Sequence, residues 1–326
     1  MRFVTYVEPY YMQERLGIIL EDTVVDIQFV YASYLKNCGD SDPDSLSRVN
    51  TPLEMVNFLK TGNRGMLAAA ETSKYAQEML DAGSLSGPKG EKAFFKESEV
   101  SLKPPVKPSK IIHTAGNFRE HAHEGKDSGW DWEMPNWISF LKSPSTLIGH
   151  KENIVYPRAT KQLDHEIEIG IVIGKHGKYI SKDEAYDYIA GYTIFNDITA
   201  RDVQQWEMKS GLLNFGKNFD TCGLLGPCLA TKDEVGDIHR LDIELKVNGD
   251  VRQSSNSDHL SVTIPEIVEH YSWVALEPGD IITTGTVSGV AAFRPDPEPF
   301  WLKPGDVIES KIEKIGLLRN EVIKEK

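Results

Sequence analysis

The chain has 326 residues, 40% of them hydrophobic and 26% charged, which is the composition of an ordinary globular protein with room for a substantial core. Its 36 basic and 49 acidic side chains leave a net charge of −13, which excludes an extended nucleic-acid surface and requires a local cation for any anionic substrate. Cys38, Cys222 and Cys228 are too few and too scattered for a disulfide framework, no apolar run reaches the length of a membrane span, and the first residues lack the layout of a signal peptide, so the chain reads as cytoplasmic with no membrane partner.

Along the chain, "RFVTYV", "RLGIIL" and "TVVDIQ" are short β-like runs within residues 2–28. "TPLEMVNFLKTG" (51–62) and "MLAAAETSKYAQEML" (66–80) have helical character, and "SLKPPVKPSK" (101–110) carries three prolines. A boundary near residue 105 divides a small N-terminal α+β domain, 1–105, from a longer domain, 106–326. Strands are predicted in the second part at 111–115, 138–141, 166–174, 190–196, 241–248, 280–284 and 307–314. Helices are predicted at 183–189, 199–208 and 263–275. Few strands alternate with full helices, so the fold class is α+β, mainly β, rather than a doubly wound sheet.

The stretch "QLDHEIEIGIVIGK" (162–175) alternates Ile167, Ile169, Ile171 and Ile173 with Glu166, Glu168, Gly170 and Val172. That period sends two carboxylates to one face of a strand, about 7 Å apart. They form either a solvated face or a pair bridged by a hard cation, since oxygen donors suit Mg²⁺, Mn²⁺ or Ca²⁺ better than zinc. Asp197, where "GYTIFNDITARD" turns from strand to helix, either caps that helix or adds a third oxygen ligand. In "TAGNFREHAHEGK" (114–126), His121 and Glu124 share a helical face, as a general-base pair or a surface ion pair does. His123 points to another side, which disfavours zinc. Lys217 lies between glycine-bearing turns, either as a surface lysine or as a cation for a substrate carboxylate or oxyanion. Arg201 and Gln204 lie on the helix after Asp197, and "TTGTVSG" (283–289) is a small-residue loop able to cradle an anion. Trp130, Trp132 and Trp137 form an aromatic substrate wall or simply pack together.

Several of these stretches resemble the fumarylacetoacetate hydrolase family, in family order: "FLKSPSTLIG", "DHEIEIGIVIGK", "GYTIFNDITARDVQQWE", "GKNFDTCGLLGP" and "LEPGDIITTGTVSGV". The resemblance runs from about residue 105 to the end. It implies a mixed β-roll catalytic domain, a homodimer and a small anionic 2-oxo acid as substrate. It further implies Glu166, Glu168 and Asp197 as ligands of a divalent metal, Mg²⁺ or Mn²⁺ with Ca²⁺ as a further choice. His121 and Glu124 become a water-activating pair on a lid, and Lys217, Gln204 and Thr286 become substrate contacts. Thr114 stands where fumarylacetoacetate-cleaving members carry an aspartate ligand, and Val287 replaces a frequent proline. The implied reaction is metal-dependent cleavage of a C–C bond in a 2,4-dioxo acid of the acylpyruvate or fumarylpyruvate type. Decarboxylation of oxaloacetate, or hydration, dehydration or isomerisation of a 2-oxo acid, is the alternative, and an idle metal-binding oligomer is a third reading.

Overall fold

Short β-branched runs separated by Gly- and Pro-bearing turns favour strand pairing over long helices. The computed structural model describes residues 1–10, 12–83, 86–127, 134 and 137–325. Its strands are, in order, β1 (Arg2–Val7), β2 (Glu14–Leu20), β3 (Thr23–Asp26), β4 (Phe94–Lys96), β5 (Ser101–Lys103), β6 (Ile111–Ala115), β7 (Ile138–Lys142), β8 (Leu147–Ile148), β9 (Asn153–Tyr156) and β10 (Leu163–Asp164). They continue with β11 (Ile167–Ile173), β12 (Ile189–Asp197), β13 (Thr199–Ala200), β14 (Gly223–Thr231), β15 (Asp242–Val247), β16 (Asp250–Asn256), β17 (Ile281–Thr283), β18 (Val307–Ile312) and β19 (Gly316–Lys324). The helices are α1 (Ile27–Asn37), α2 (Pro43–Asn50), α3 (Met55–Lys60), α4 (Asn63–Asp81), α5 (Arg119–Asp127), α6 (Ala185–Tyr188), α7 (Arg201–Met208), α8 (Lys232–Val235) and α9 (Ile264–Tyr271). The architecture is mixed and mainly β, as the sequence predicts.

The central sheet runs β4-β3-β2-β1-β14-β12-β11-β17-β6-β7, with β5 on β1 and β8 on β14. It crosses residue 105 unbroken, because β1 pairs with β14 at Phe3 and Leu229. A second sheet runs β16-β15-β18-β19-β9. One face of the central sheet presents Phe3, Val172, Phe195 and Leu225 to Val30, Phe58, Ala69 and Met79 of α1, α3 and α4. The other presents Ile169, Ile171 and Ile194 to Leu245, Ile308 and Leu318 of the second sheet and to Ile267 of α9. β11 is therefore buried along its whole length on both faces, which explains why its run is more apolar than a half-exposed strand needs.

The structure shortens some predicted elements. The predicted helix 183–189 is only α6, and the predicted helix 199–208 begins at Arg201 because Thr199 and Ala200 pair with β10. The predicted helix 263–275 ends at Tyr271. β14, a central strand, is absent from the prediction. Its "GLLGPCLAT" holds a Gly-Pro pair that reads as a turn. The structure accommodates that pair where the register against β12 shifts between Tyr192 and Ile194, opposite Gly226. No helix among the described residues is long and apolar enough to cross a membrane.

One buried polar knot ties the first strands to α1. Asp26 is fully buried and accepts from Tyr6 Oη at 2.5 Å, from Arg15 Nη2 at 3.1 Å, from Arg15 Nε, and from the Phe29 N–H at 2.8 Å as the cap of α1. Replacing Asp26 by Ala strands the buried Arg15 guanidinium and uncaps the helix, so stability in urea should fall by about 3–5 kcal/mol. Tyr6→Phe removes one hydrogen bond and should cost about 1 kcal/mol. Equal, small shifts of the urea midpoint in both variants would show that the knot is not a centre of stability.

A candidate active site at the polar end of the central sheet

Strand alternation assembles the site before any loop is considered. Residues two apart share a face, and directly paired residues share it across the ladder. On β11, Glu168 faces the same way as Gly170 and Val172, and Glu168 pairs with Phe195, two before Asp197. Gly170 pairs with Thr283, Thr283 with His113, and His113 with Phe140, two before Lys142. Glu168, Asp197, His113, Phe140 and Lys142 therefore converge on one face, the face that α1, α3 and α4 cover farther along. All five are buried, Lys142 to 1% and Glu168 to 2% exposure. Glu166 joins them from the residue before β11, at 6% exposure.

Buried charge on this face is closely paired. Lys217 Nζ donates to Glu166 Oε2 at 2.6 Å and Thr199 Oγ1 at 2.8 Å, and lies 2.8 Å from Asp197 Oδ2. Lys142 Nζ donates to Asp197 Oδ1 at 2.7 Å and to the Lys217 carbonyl. Arg201 pairs with Glu166 Oε1 at 2.6 Å and with Asp164 Oδ2 at 2.8 Å, and donates from Nη1 to Gln204 Oε1 at 3.0 Å. Burial alone would raise the Asp197 carboxyl, but Lys142, Lys217 and His113 outweigh it and hold the carboxyl well below its ordinary range. Burial alone would likewise lower the Lys217 ammonium, but Asp197 and Glu166 outweigh it and raise it. Both groups stay ionised at neutral pH.

Local chain chemistry fixes Lys217. It ends a short helical turn, Phe215–Lys217. The Glu207 carboxylate on α7 accepts from the N–H groups of Asn214, of Phe215 at 2.7 Å and of Gly216 at 3.4 Å. Gly216 is needed because a Cβ there would stand 2.8 Å from the Gln204 backbone. Glu207, Asp164, Lys142 and His113 are the residues that sequence reasoning did not single out.

Glu168 differs from its neighbours. Oε2 accepts one hydrogen bond, from the Gly285 N–H at 3.1 Å, and no Lys or Arg among the described residues pairs with it. Asp197 Oδ2 accepts no well-aligned hydrogen bond, although the Lys217 ammonium is close. A buried carboxylate with so little compensation is the environment a cation relieves. Ligand atoms of His113, Glu168 and Asp197 all lie within 4.8 Å of one another. This donor set fits a divalent ion.

The remaining predicted residues close over this floor. His121 Nδ1 and Glu124 Oε1 lie 2.8 Å apart on α5. Glu124 also accepts from the Gly289 N–H at 3.0 and 3.1 Å, so the "TTGTVSG" loop holds the carboxylate that orients the imidazole. The His121 ring lies 5.3 Å from that of Phe293. His123 is exposed on another side of the helix. Thr286 donates to the Ile167 carbonyl at 3.0 Å and accepts from Gln253 Nε2 at 2.9 Å, so its hydroxyl serves the framework as well as lining the site. His121, Glu166, Glu168, Arg201, Gln204, Lys217, Thr286, Thr114 and Phe293 all line one cavity of about 30 Å³. Trp137 stacks instead on His270, with ring centroids 3.9 Å apart, and Trp130 and Trp132 lie outside the described residues.

With this geometry in hand, comparison with known proteins is specific. The family described as "Fumarylacetoacetate (FAA) hydrolase C-terminal" matches residues 110–323. Oxaloacetate tautomerase YisK of Bacillus subtilis is 38% identical over 278 residues, covering 83% of this chain and 87% of that protein. The mitochondrial oxaloacetate tautomerase Fahd2a of Rattus norvegicus is 36% identical over 274 residues, 83% of this chain and 80% of that one. The maleylpyruvate hydrolase of Sphingobium sp. SYK-6, solved with manganese(II) and pyruvate, superposes with a TM-score of 0.69 at 28% identity, covering 100% of both chains. With relatives aligned over four fifths of its length and the family match spanning the whole site, the chain belongs to the fumarylacetoacetate hydrolase family, a family of enzymes.

Proposed function

We propose that this protein is a divalent-metal enzyme that interconverts the enol and keto forms of a compact 2-oxo diacid of the oxaloacetate class. One observation carries the reading: His121, whose Nδ1 is held by Glu124, lines the same small cavity as Lys217, Glu166 and Glu168. A proton donor–acceptor, a cation and a candidate metal site thus meet around one small cavity. The tautomerases aligned over 83% of the chain support the reaction class.

In this reading Glu166, Glu168 and Asp197 hold Mg²⁺ or Mn²⁺. When bound, the ion supplies Lewis-acid stabilisation of negative charge at the 2-oxo acid end. The chain's own residues move the proton. Glu124 accepts from His121 Nδ1–H, which leaves Nε2 as the basic nitrogen. Nε2 takes the proton of the enol hydroxyl, and a proton is returned to C3, so one O–H bond breaks and one C–H bond forms. The Lys217 ammonium stabilises the oxygen while it carries charge. Arg201 and Gln204 orient the substrate's carboxylates, and Thr286 shapes the wall. The enzyme works as a homodimer.

Hydrolysis of a 2,4-dioxo acid is the second reading. The same imidazole can take a proton from water, and the likeness to maleylpyruvate hydrolase favours that use. The hydroxide then attacks the distal carbonyl, and the C–C bond breaks to release pyruvate and an acid.

Chelator-stripped protein should lose enol–keto turnover of oxaloacetate, and Mg²⁺ or Mn²⁺ should restore it, followed by the fading ultraviolet absorbance of the enol. Pyruvate release from acylpyruvates, with no acceleration of oxaloacetate tautomerisation, would transfer the assignment to hydrolysis. Pyruvate release from oxaloacetate alone would point to decarboxylation.

His121→Ala should lower kcat by about 10²–10⁴-fold, the usual worth of general acid–base help. Glu124→Gln should lower kcat less and displace its pH profile, because the imidazole loses its carboxylate partner. Unchanged kcat in His121→Ala would remove this histidine from the chemistry.

A further inference from the structure

We propose that His113 is a nitrogen ligand of the bound metal, which makes the site prefer transition ions that accept imidazole, such as Mn²⁺ or Co²⁺, over Mg²⁺ and Ca²⁺. The inference rests on the metal reading above and adds a donor that the carboxylate pattern does not contain.

The geometry is specific. His113 Nδ1 lies 3.4 Å from Glu168 Oε2 and 3.7 Å from Asp197 Oδ2. Those separations are long for hydrogen bonds between charged partners. Donors about 2.1 Å from one centre stand roughly 3.0 Å apart in an octahedron and roughly 3.4 Å apart in a tetrahedron, so the Glu168 spacing matches a shared ion and the Asp197 spacing has to close by a few tenths of an ångström. Of the two oxygens concerned, Glu168 Oε2 has no Lys or Arg partner among the described residues, and Asp197 Oδ2 has the Lys217 ammonium 2.8 Å away. Among the described residues, Glu168 Oε2 has only the Gly285 N–H as a hydrogen-bond donor, and Asp197 Oδ2 has no well-aligned donor.

The ring is also held in place. It stacks on Phe140 at 4.7 Å with 12° between planes and meets Phe195 edge-on at 4.9 Å. It is fully buried, so Nδ1 faces the carboxylates with little freedom left to lose. Nε2 has no hydrogen-bond partner among the described residues. Among the described residues, Thr283 Oγ1, 3.0 Å from Nδ1, is the competing hydrogen-bond partner, and a hydroxyl can rotate aside when an ion arrives.

The chemical consequence follows from donor type. Three carboxylates alone form a hard oxygen site that Mg²⁺ and Ca²⁺ satisfy. An imidazole adds little for those ions and more for first-row transition ions, in the order of their affinity for nitrogen.

The test uses the full-length protein, stripped of metal and titrated with Mn²⁺. Pulsed electron paramagnetic resonance of the wild type should show coupling to an imidazole nitrogen. His113→Phe, which fits between Phe140 and Phe195, and His113→Asn should lose that coupling. Both should weaken Mn²⁺ binding by roughly 10–100-fold while changing Mg²⁺ binding much less, as read by competition calorimetry. The thermal midpoint of each metal-free variant separates lost binding from lost fold, and the wild-type spectrum decides the case even if neither variant folds. Mn²⁺ bound without nitrogen coupling would overturn the His113 assignment and leave the carboxylate site standing. A wild type that binds neither Mn²⁺ nor Mg²⁺ would overturn the metal reading with it.

Discussion

The site depends on one constraint, the neutralisation of buried negative charge at the end of the central sheet. Asp164, Glu166, Glu168 and Asp197 are buried there against Lys142, Lys217 and Arg201. Four carboxylates against three fixed cations leave 3 − 4 = −1. A divalent ion would bring that balance to −1 + 2 = +1. The ion would relieve the excess of negative charge at the proposed substrate site. Removing Lys142, Lys217 or Arg201 leaves a carboxylate uncompensated in a low-dielectric interior, which is far more costly than the pair was worth.

The rest of the molecule makes that arrangement tolerable. Two apolar cores, one on each face of the central sheet, hold β11 and β12 in register. Register matters more here than in an ordinary strand. A slip of one residue would send Glu168 and Asp197 into the isoleucine core and Ile167 into the site. The N-terminal helices therefore contribute to the site without touching it, because α1, α3 and α4 cover the same sheet face farther along the strands.

Much of the site was legible because its signals are local. Alternation around "EIEIGIVI" marks two co-facing glutamates, and the three-residue spacing of His121 and Glu124 marks a pair on one helical face. What was not legible is long-range or depends on pairing order. His113 acquires meaning only when β6 lies beside β17 and β17 beside β11. Lys142 meets Asp197 across 55 residues of chain. Glu207 acts by holding backbone N–H groups, an interaction with no residue pattern of its own. β14 was hidden by its own Gly-Pro pair, since a proline in a central strand normally argues against the strand. The hydroxyl of Thr286 shows the reverse case. Family pattern marks it as a substrate contact, and the structure also engages it with the Ile167 carbonyl and Gln253.

The choice between proton transfer and hydrolysis turns on space more than on functional groups, since both use the same imidazole and the same cation. A cavity of about 30 Å³ holds roughly two waters, so a substrate would need the lining to open. The smaller the acid, the less the lining must yield. Hydrolysis asks for an acyl group and a positioned water in addition to the 2-oxo acid. Tautomerisation asks for neither, because the proton that leaves oxygen and the proton that reaches carbon are both handled by a group already in the wall. With Glu124 fixed by the Gly289 N–H, the imidazole that the proposal uses is held in one orientation. On the proposed reading, the tightness that would burden a bulky acylpyruvate would burden a four-carbon diacid less.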